Sequence, residues 1–156
     1  MAHAVARAIG CPVLSRDAIK EGMVASRTDF VAATRDPLTL RTYGVFFAAL
    51  ELLLRAEVTV VAEAAFAHPL WSRGLGPLAP LADFRVVRCV VTPGEARRRI
   101  QDRLHSEPSR AAHADAEHLS AAPPYVPLTL DVPTLDVDTS AGYDPDLAAI
   151  VAFCLR

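Results

Sequence analysis

Val58-Thr59-Val60-Val61-Ala62 is apolar or β-branched at every position, and Glu63 follows it directly. Successive residues of a strand face opposite sides, so this run presents apolar groups on both faces. That is stable only in a parallel sheet covered by helices above and below. A second run, Arg85-Val86-Val87-Arg88-Cys89-Val90-Val91, has the same character. Two weaker strands are expected at Thr134-Leu135-Asp136-Val137 and at Pro12-Val13-Leu14.

Helical patterns alternate with these runs. Asp36-Pro37 supplies an N-cap and a first-turn proline, and Leu40, Tyr43, Phe47, Leu50 and Leu54 then recur at helical spacing up to Arg55. Thr92-Pro93-Gly94-Glu95 reads as a capping box opening a helix to about His105. Asp144-Pro145 is expected to open the last helix, with Leu147, Ile150, Val151 and Cys154 as its buried stripe. At the front, Val5, Ala8 and Ile9 suggest a short helix ended by Gly10. This alternation predicts a doubly wound, mostly parallel α/β sheet in one domain over residues 1–156, with functional groups beyond the carboxyl ends of its strands. Residues 106–131, rich in Ala, His, Pro and Ser, break the rhythm and read as a mobile loop or lid.

Composition narrows the partners. The 156 residues are 52% hydrophobic, enough for one real core, and 16 Lys+Arg against 18 Asp+Glu give a net charge of -2. That balance gives no reason to expect nucleic acid or an anionic membrane as partner. Cys11, Cys89 and Cys154 are scattered and odd in number, so neither a disulfide framework nor a zinc knuckle is indicated and a cytoplasmic setting fits. The chain nowhere has the roughly eighteen successive apolar residues of a spanning helix, and its start lacks a signal-peptide pattern.

The strand exits carry the polar candidates. Ser15, Arg16, Asp17 and Lys20 follow the first strand, Glu63 the second, and Asp138, Thr139 and Gly142 the last. Asp17 can be a helix cap, a proton acceptor or both; Glu63 would help hold Mg²⁺ or substrate if it converges on the same cleft. Arg97 and Arg98 read as a solvated helix face, while Arg103 and Arg110 could reach over a polyphosphate when the loop closes. Trp71, beside Pro69 and Leu70, is either a packing anchor or a pocket wall. His105, His113 and His118 with Asp115 and Glu117 have no helical ligand spacing, so no metal site is expected there.

These residues resemble a family. The run from Ala4 through Ser15-Arg16-Asp17 to Gly22 is similar to the segment that follows the phosphate-binding loop in small bacterial P-loop kinases, a group including chloramphenicol phosphotransferase-like, zeta-toxin-like and AAA-type ATP-binding proteins. Val60-Val61-Ala62-Glu63 resembles their Walker-B-like strand, Arg99 to Arg110 with Ala111-Ala112-His113 their lid, and Val132 to Thr139 with Gly142-Tyr143 their last strand and adenine-side loop. The resemblance implies a P-loop NTPase-like three-layer α/β/α fold and an ATP- and Mg²⁺-dependent phosphotransferase acting on a small-molecule hydroxyl. It implies Asp17, Glu63, Arg103 and Arg110 as catalytic groups, Arg16, Lys20 and Trp71 at the substrate, and Thr139, Gly142 and Tyr143 at the nucleotide.

One part of the family pattern does not match. The first strand, central in the sheet, and its G-x-x-x-x-G-K-[ST] loop are absent from these residues. Three expectations follow: an N-terminally truncated chain with little activity by itself, two unpaired inner strand edges that could promote homo-oligomers, and a substrate set by the insert from Glu21 to Thr39. The alternative is a non-catalytic module that binds a ligand or partner on a degenerate kinase fold.

Overall fold

The computed structural model describes residues 1–33, 36–66, 70–115, 119 and 126–156. Helix α1 (Ala2–Ile9) ends at Gly10, whose φ of 84° suits a residue without Cβ. Strand β1 (Val13–Ser15) leads into α2 (Arg16–Ala25), and α3 (Pro37–Arg55) leads to β2 (Val61–Glu63). Helix α4 (Leu70–Leu75) and a 3₁₀ segment (Gly76–Leu81) precede β3 (Val86–Val90) and α5 (Pro93–Ser106). A second 3₁₀ segment (Pro108–Ala112), β4 (Thr134–Asp138) and α6 (Leu147–Cys154) complete the order.

The deciding run forms its strand later than expected. Val58–Val60 carry the chain away from α3: Glu57 takes a positive φ of 56° and the Val58 N–H bonds back to Leu53 O. Pairing starts at Val61 because β1 offers only three residues, Val13↔Val61 to Ser15↔Glu63. The last helix also starts late. Asp144 is held by two backbone hydrogen bonds to Asp138, so Asp146 caps α6 instead, accepting from the Ala149 N–H at 2.9 Å. The α3 cap follows the sequence reading, Asp36 accepting from the Thr39 N–H; at α5 only half of the capping box forms, Thr92 accepting from the Glu95 N–H while the Glu95 carboxylate turns to Arg98 and Arg99.

Helices cover both faces of the strands. Val61 faces a cluster centred on Val5, Val137 and Ile150, with Val87 and Leu135 beside it. Its neighbour Ala62 faces the other cluster, built on Phe46, Leu50 and Trp71. Thus α1 and α6 lie on one side and α3 and α4 on the other, the three-layer α/β/α arrangement. Helix α3 has the length and hydropathy of a spanning helix, yet its stripe of Leu38, Thr42, Phe46, Leu50 and Leu54 is buried in the protein.

Among the described residues the sheet is in two halves. β1 pairs with β2 and β3 with β4, both parallel, and no ladder joins β2 to β3. Strand alternation fixes what the inner edges present. The Val86 N–H bonds Pro133 O and the Val90 carbonyl accepts from Thr139, so Val86, Arg88 and Val90 turn their peptide groups toward β4. Val87 and Cys89 turn theirs inward. On β2 the Val61 N–H bonds Pro12 O, which leaves Ala62 facing inward.

Candidate functional site

The carboxyl ends of β1 and β2 set two hydroxyl and carboxylate groups side by side, because Ser15 and Glu63 are register partners. Ser15 Oγ donates to Glu63 Oε2 at 2.6 Å and accepts from the Ala18 N–H, so Ser15 caps α2. That cap was an alternative role for Asp17, which instead lies in the first turn with its carboxylate free for side-chain partners.

Those partners come from two segments distant in sequence. Asp17 accepts from Arg16 Nη1 and from Arg110 Nη1, each at 3.0 Å. Arg110, buried at 8% exposure, spends its Nε and Nη2 on both oxygens of Asp115, each at 2.8 Å. His113 Nε2 lies 3.1 Å from Glu21 Oε1 and 4.0 Å from Asp17 Oδ2. Burial pushes the Asp17 carboxyl up, but His113 and the hydrogen bonds from Arg16 and Arg110 outweigh it and hold the group below its ordinary value. Burial pushes the His113 imidazole down; Asp17 opposes this and Arg110 adds to it.

Arg16 stacks over Tyr43 with its guanidinium carbon 5.1 Å from the ring centroid, and its buried Nε has no partner among the described residues. Lys20, expected to meet a substrate, is instead taken up in the fold. At 2% exposure its Nζ donates to Asp36 at 2.7 Å and Thr39 at 2.9 Å and lies 5.7 Å from the centre of the Phe30 ring, so the ammonium is buried against its own fold. Trp71 is likewise a core residue, 1% exposed and in T-shaped contact with Tyr43, Phe46, Phe47 and Phe66.

The opposite wall comes from α5 and the β4 exit. Arg99 donates to Thr139 Oγ1 at 3.1 Å, to the Thr139 carbonyl, and to Glu95. Hydrogen bonds from Arg98 and Arg99 hold the Glu95 carboxyl down at about 2. Arg98 bridges Glu95 and Asp102 on the solvent face, as a helix surface pair does. Arg103 has no carboxylate partner among the described residues; its Nε reaches only the Arg99 carbonyl, at 3.4 Å. It borders a groove of about 480 Å³ with Val91, Ala96 and Ile100. Gly142 takes φ 121° in the turn after β4, and Tyr143 beside it is half-exposed.

The expected convergence is therefore partial. Ser15, Arg16, Asp17, Glu63 and Arg110 gather at one end of the β1–β2 pair, whereas Arg103, Thr139, Gly142 and Tyr143 belong to the β3–β4 half. Arg110 spends three of its five N–H donors on Asp17 and Asp115, which ties it into the β1–β2 end and leaves one N–H on each of Nη1 and Nη2. Sequence reading missed Glu21 and the Arg110–Asp115 fork, whose two residues lie five apart across the end of the 3₁₀ segment, a spacing that belongs to no periodic pattern. His118, Glu117 and Pro69 lie outside the described residues. Among the described residues no three acidic, His or Cys side chains form a metal-holding group.

Parallel strands layered between helices, with acidic and basic side chains collected at their carboxyl ends, make an α/β protein with its candidate site where such sheets bind ligands. The sequence model of the AAA domain family AAA_33 matches residues 1–124, and the chain belongs to that family. A crystal structure of a candidate kinase from Chloroflexus aurantiacus J-10-fl superposes with a TM-score of 0.80 at 24% identity, over 99% of this chain and 88% of that one. No curated protein matches the chain.

Proposed function

We propose that this chain carries the acceptor side of an ATP-dependent phosphotransferase acting on a small-molecule hydroxyl, in a cytoplasmic setting. The observation that carries this reading is the Asp17 carboxylate, kept ionised at the carboxyl end of a parallel strand by Arg16 and Arg110. A carboxylate so placed can take the proton of a substrate hydroxyl, and Arg16 beside it can orient that substrate. Glu63 uses one oxygen on Ser15, and among the described residues the other accepts no hydrogen bond, which suits a carboxylate that orders a hydrated Mg²⁺.

The residues present do not fit a triphosphate. Gly10 is spent as the α1 C-cap and Lys20 is buried against Asp36, so neither belongs to a phosphate cradle. Thr139, Gly142 and Tyr143, after β4, suit the base-side end of a nucleotide, while Arg103, with no carboxylate partner among the described residues, keeps a guanidinium that can reach toward a polyphosphate. The reading therefore has the phosphate-binding loop arrive on a strand that enters between β2 and β3, where Ala62, Val87 and Cys89 present inward peptide groups. Left unfilled, those edges favour homo-oligomers.

Thermal-shift titration with MgATP tests this on the chain alone and on a version lengthened at its N-terminus by a strand and a GK[ST] loop. Stabilisation by MgATP only in the lengthened protein, together with phosphate transfer to a hydroxyl substrate, is expected. A lengthened protein that folds but gains no stability from MgATP overturns the kinase reading. It then favours the second one, a ligand- or partner-binding module without catalysis, which the engagement of Arg110 by two carboxylates also supports.

A further inference from the structure

We propose that Asp115 is a positioning residue: by gripping one edge of the Arg110 guanidinium it aims Nη1 at Asp17 and so fixes the orientation of that carboxylate. The geometry is specific. Asp115 takes Nε and Nη2 at 2.8 Å each, a two-point grip that sets the plane of the guanidinium as well as its position. With that plane fixed, the remaining Nη1 has one direction, and Asp17 Oδ2 lies along it at 3.0 Å.

Burial makes the grip consequential. The side chains of Arg110 and Asp115 are 10% and 9% exposed, so neither charge can turn to water if the other is lost. The two carboxylates reach Arg110 from segments 98 positions apart, which makes the guanidinium the link between the start of α2 and the residues after the 3₁₀ segment Pro108–Ala112. The other charged or titratable groups facing this cluster are Arg16, Lys20 and Glu21 from α2, and His113. None of them touches the Asp115-bound edge of Arg110 at a hydrogen-bond distance. The chemical use of the aim rests on reading Asp17 as proton acceptor; the aim itself does not.

The test is a carbon-13 titration of the Asp17 side-chain carboxyl by NMR in the chain of 156 residues. In Asp115→Asn, which keeps the shape and loses the charged fork, the Asp17 midpoint moves upward, and Asp115→Glu restores most of the shift. Should Asp115→Asn unfold, Asp115→Ser is titrated instead: smaller and neutral, it loses the two-point grip while leaving Arg110 in place, and is also expected to raise the midpoint. An Asp17 midpoint unchanged or lowered in the folded variant overturns the proposal. In the lengthened protein the acid limb of the kcat pH profile moves with that midpoint. A midpoint that shifts in a protein without kinase activity leaves Asp115 as the positioning residue and removes the acceptor reading alone.

Discussion

Between α2 and the Pro108–Ala112 segment, guanidinium, carboxylate and imidazole groups answer one another at hydrogen-bond distance. Across the facing edges of β2 and β3, alternate peptide groups have no strand partner among the described residues. Both regions are polar and both lie at the heart of the α/β layer, but one is closed by side chains and the other would be closed only by backbone. The contrast teaches where this fold is self-sufficient. Buried charges can be satisfied by residues from anywhere in the chain, whereas a missing rung of a sheet can be replaced only by another strand.

The most severe way to break the closed side is to remove one member of a buried pair. Asp36→Ala takes away the Lys20 partner and the α3 cap together, and a loss of about 3–5 kcal/mol in urea denaturation is expected. Lys20→Met in the same background should recover part of it, because the orphaned ammonium is then gone. A loss below about 1 kcal/mol would mean that the pair is hydrated in solution. Trp71→Ala should cost a similar amount, about 3–5 kcal/mol, by emptying the aromatic cluster on α3.

Hydrogen exchange sharpens the open side. The Ala62, Val87 and Cys89 amides should exchange on the order of 100-fold faster than those of Val61, Val86 and Arg88 on the same strands. Equal protection within each strand would mean that the inner edges are paired after all. Sedimentation velocity gives a gentler measure: unpaired edges predict concentration-dependent self-association, and a monomer at every concentration counts against them.

The smallest expected effect is on pH. Asp17 and Asp36 have depressed folded-state values, so their stabilisation is complete above the unfolded value of 3.8 and is lost as pH falls through the folded one. His113 is also depressed, so its contribution is present above 6.5 and declines as pH drops toward its folded value, the unfolded chain taking the proton first. Melting temperature should thus begin to fall below about pH 6.5, with a shallower slope for His113→Gln; an unchanged slope would remove His113 as the cause.

The amino-acid order determined the class of the fold and the position of its strands to within a few residues. β-branched runs, caps such as Asp36 and Thr92, and helical stripes are local signals that survive without tertiary context. It also brought Asp17 and Glu63 to strand ends, since that follows from alternation alone. Tertiary structure alone decided what each polar side chain does there. Lys20 and Trp71 are as suitable for a ligand as for a core when read along the chain, and only their neighbours from α3, α4 and the segment before Thr39 assign them to the interior. The grip of Asp115 on Arg110, and of Arg110 on Asp17, joins residues by distance in space, and no spacing in a linear sequence encodes an encounter between segments that meet only when the core has formed.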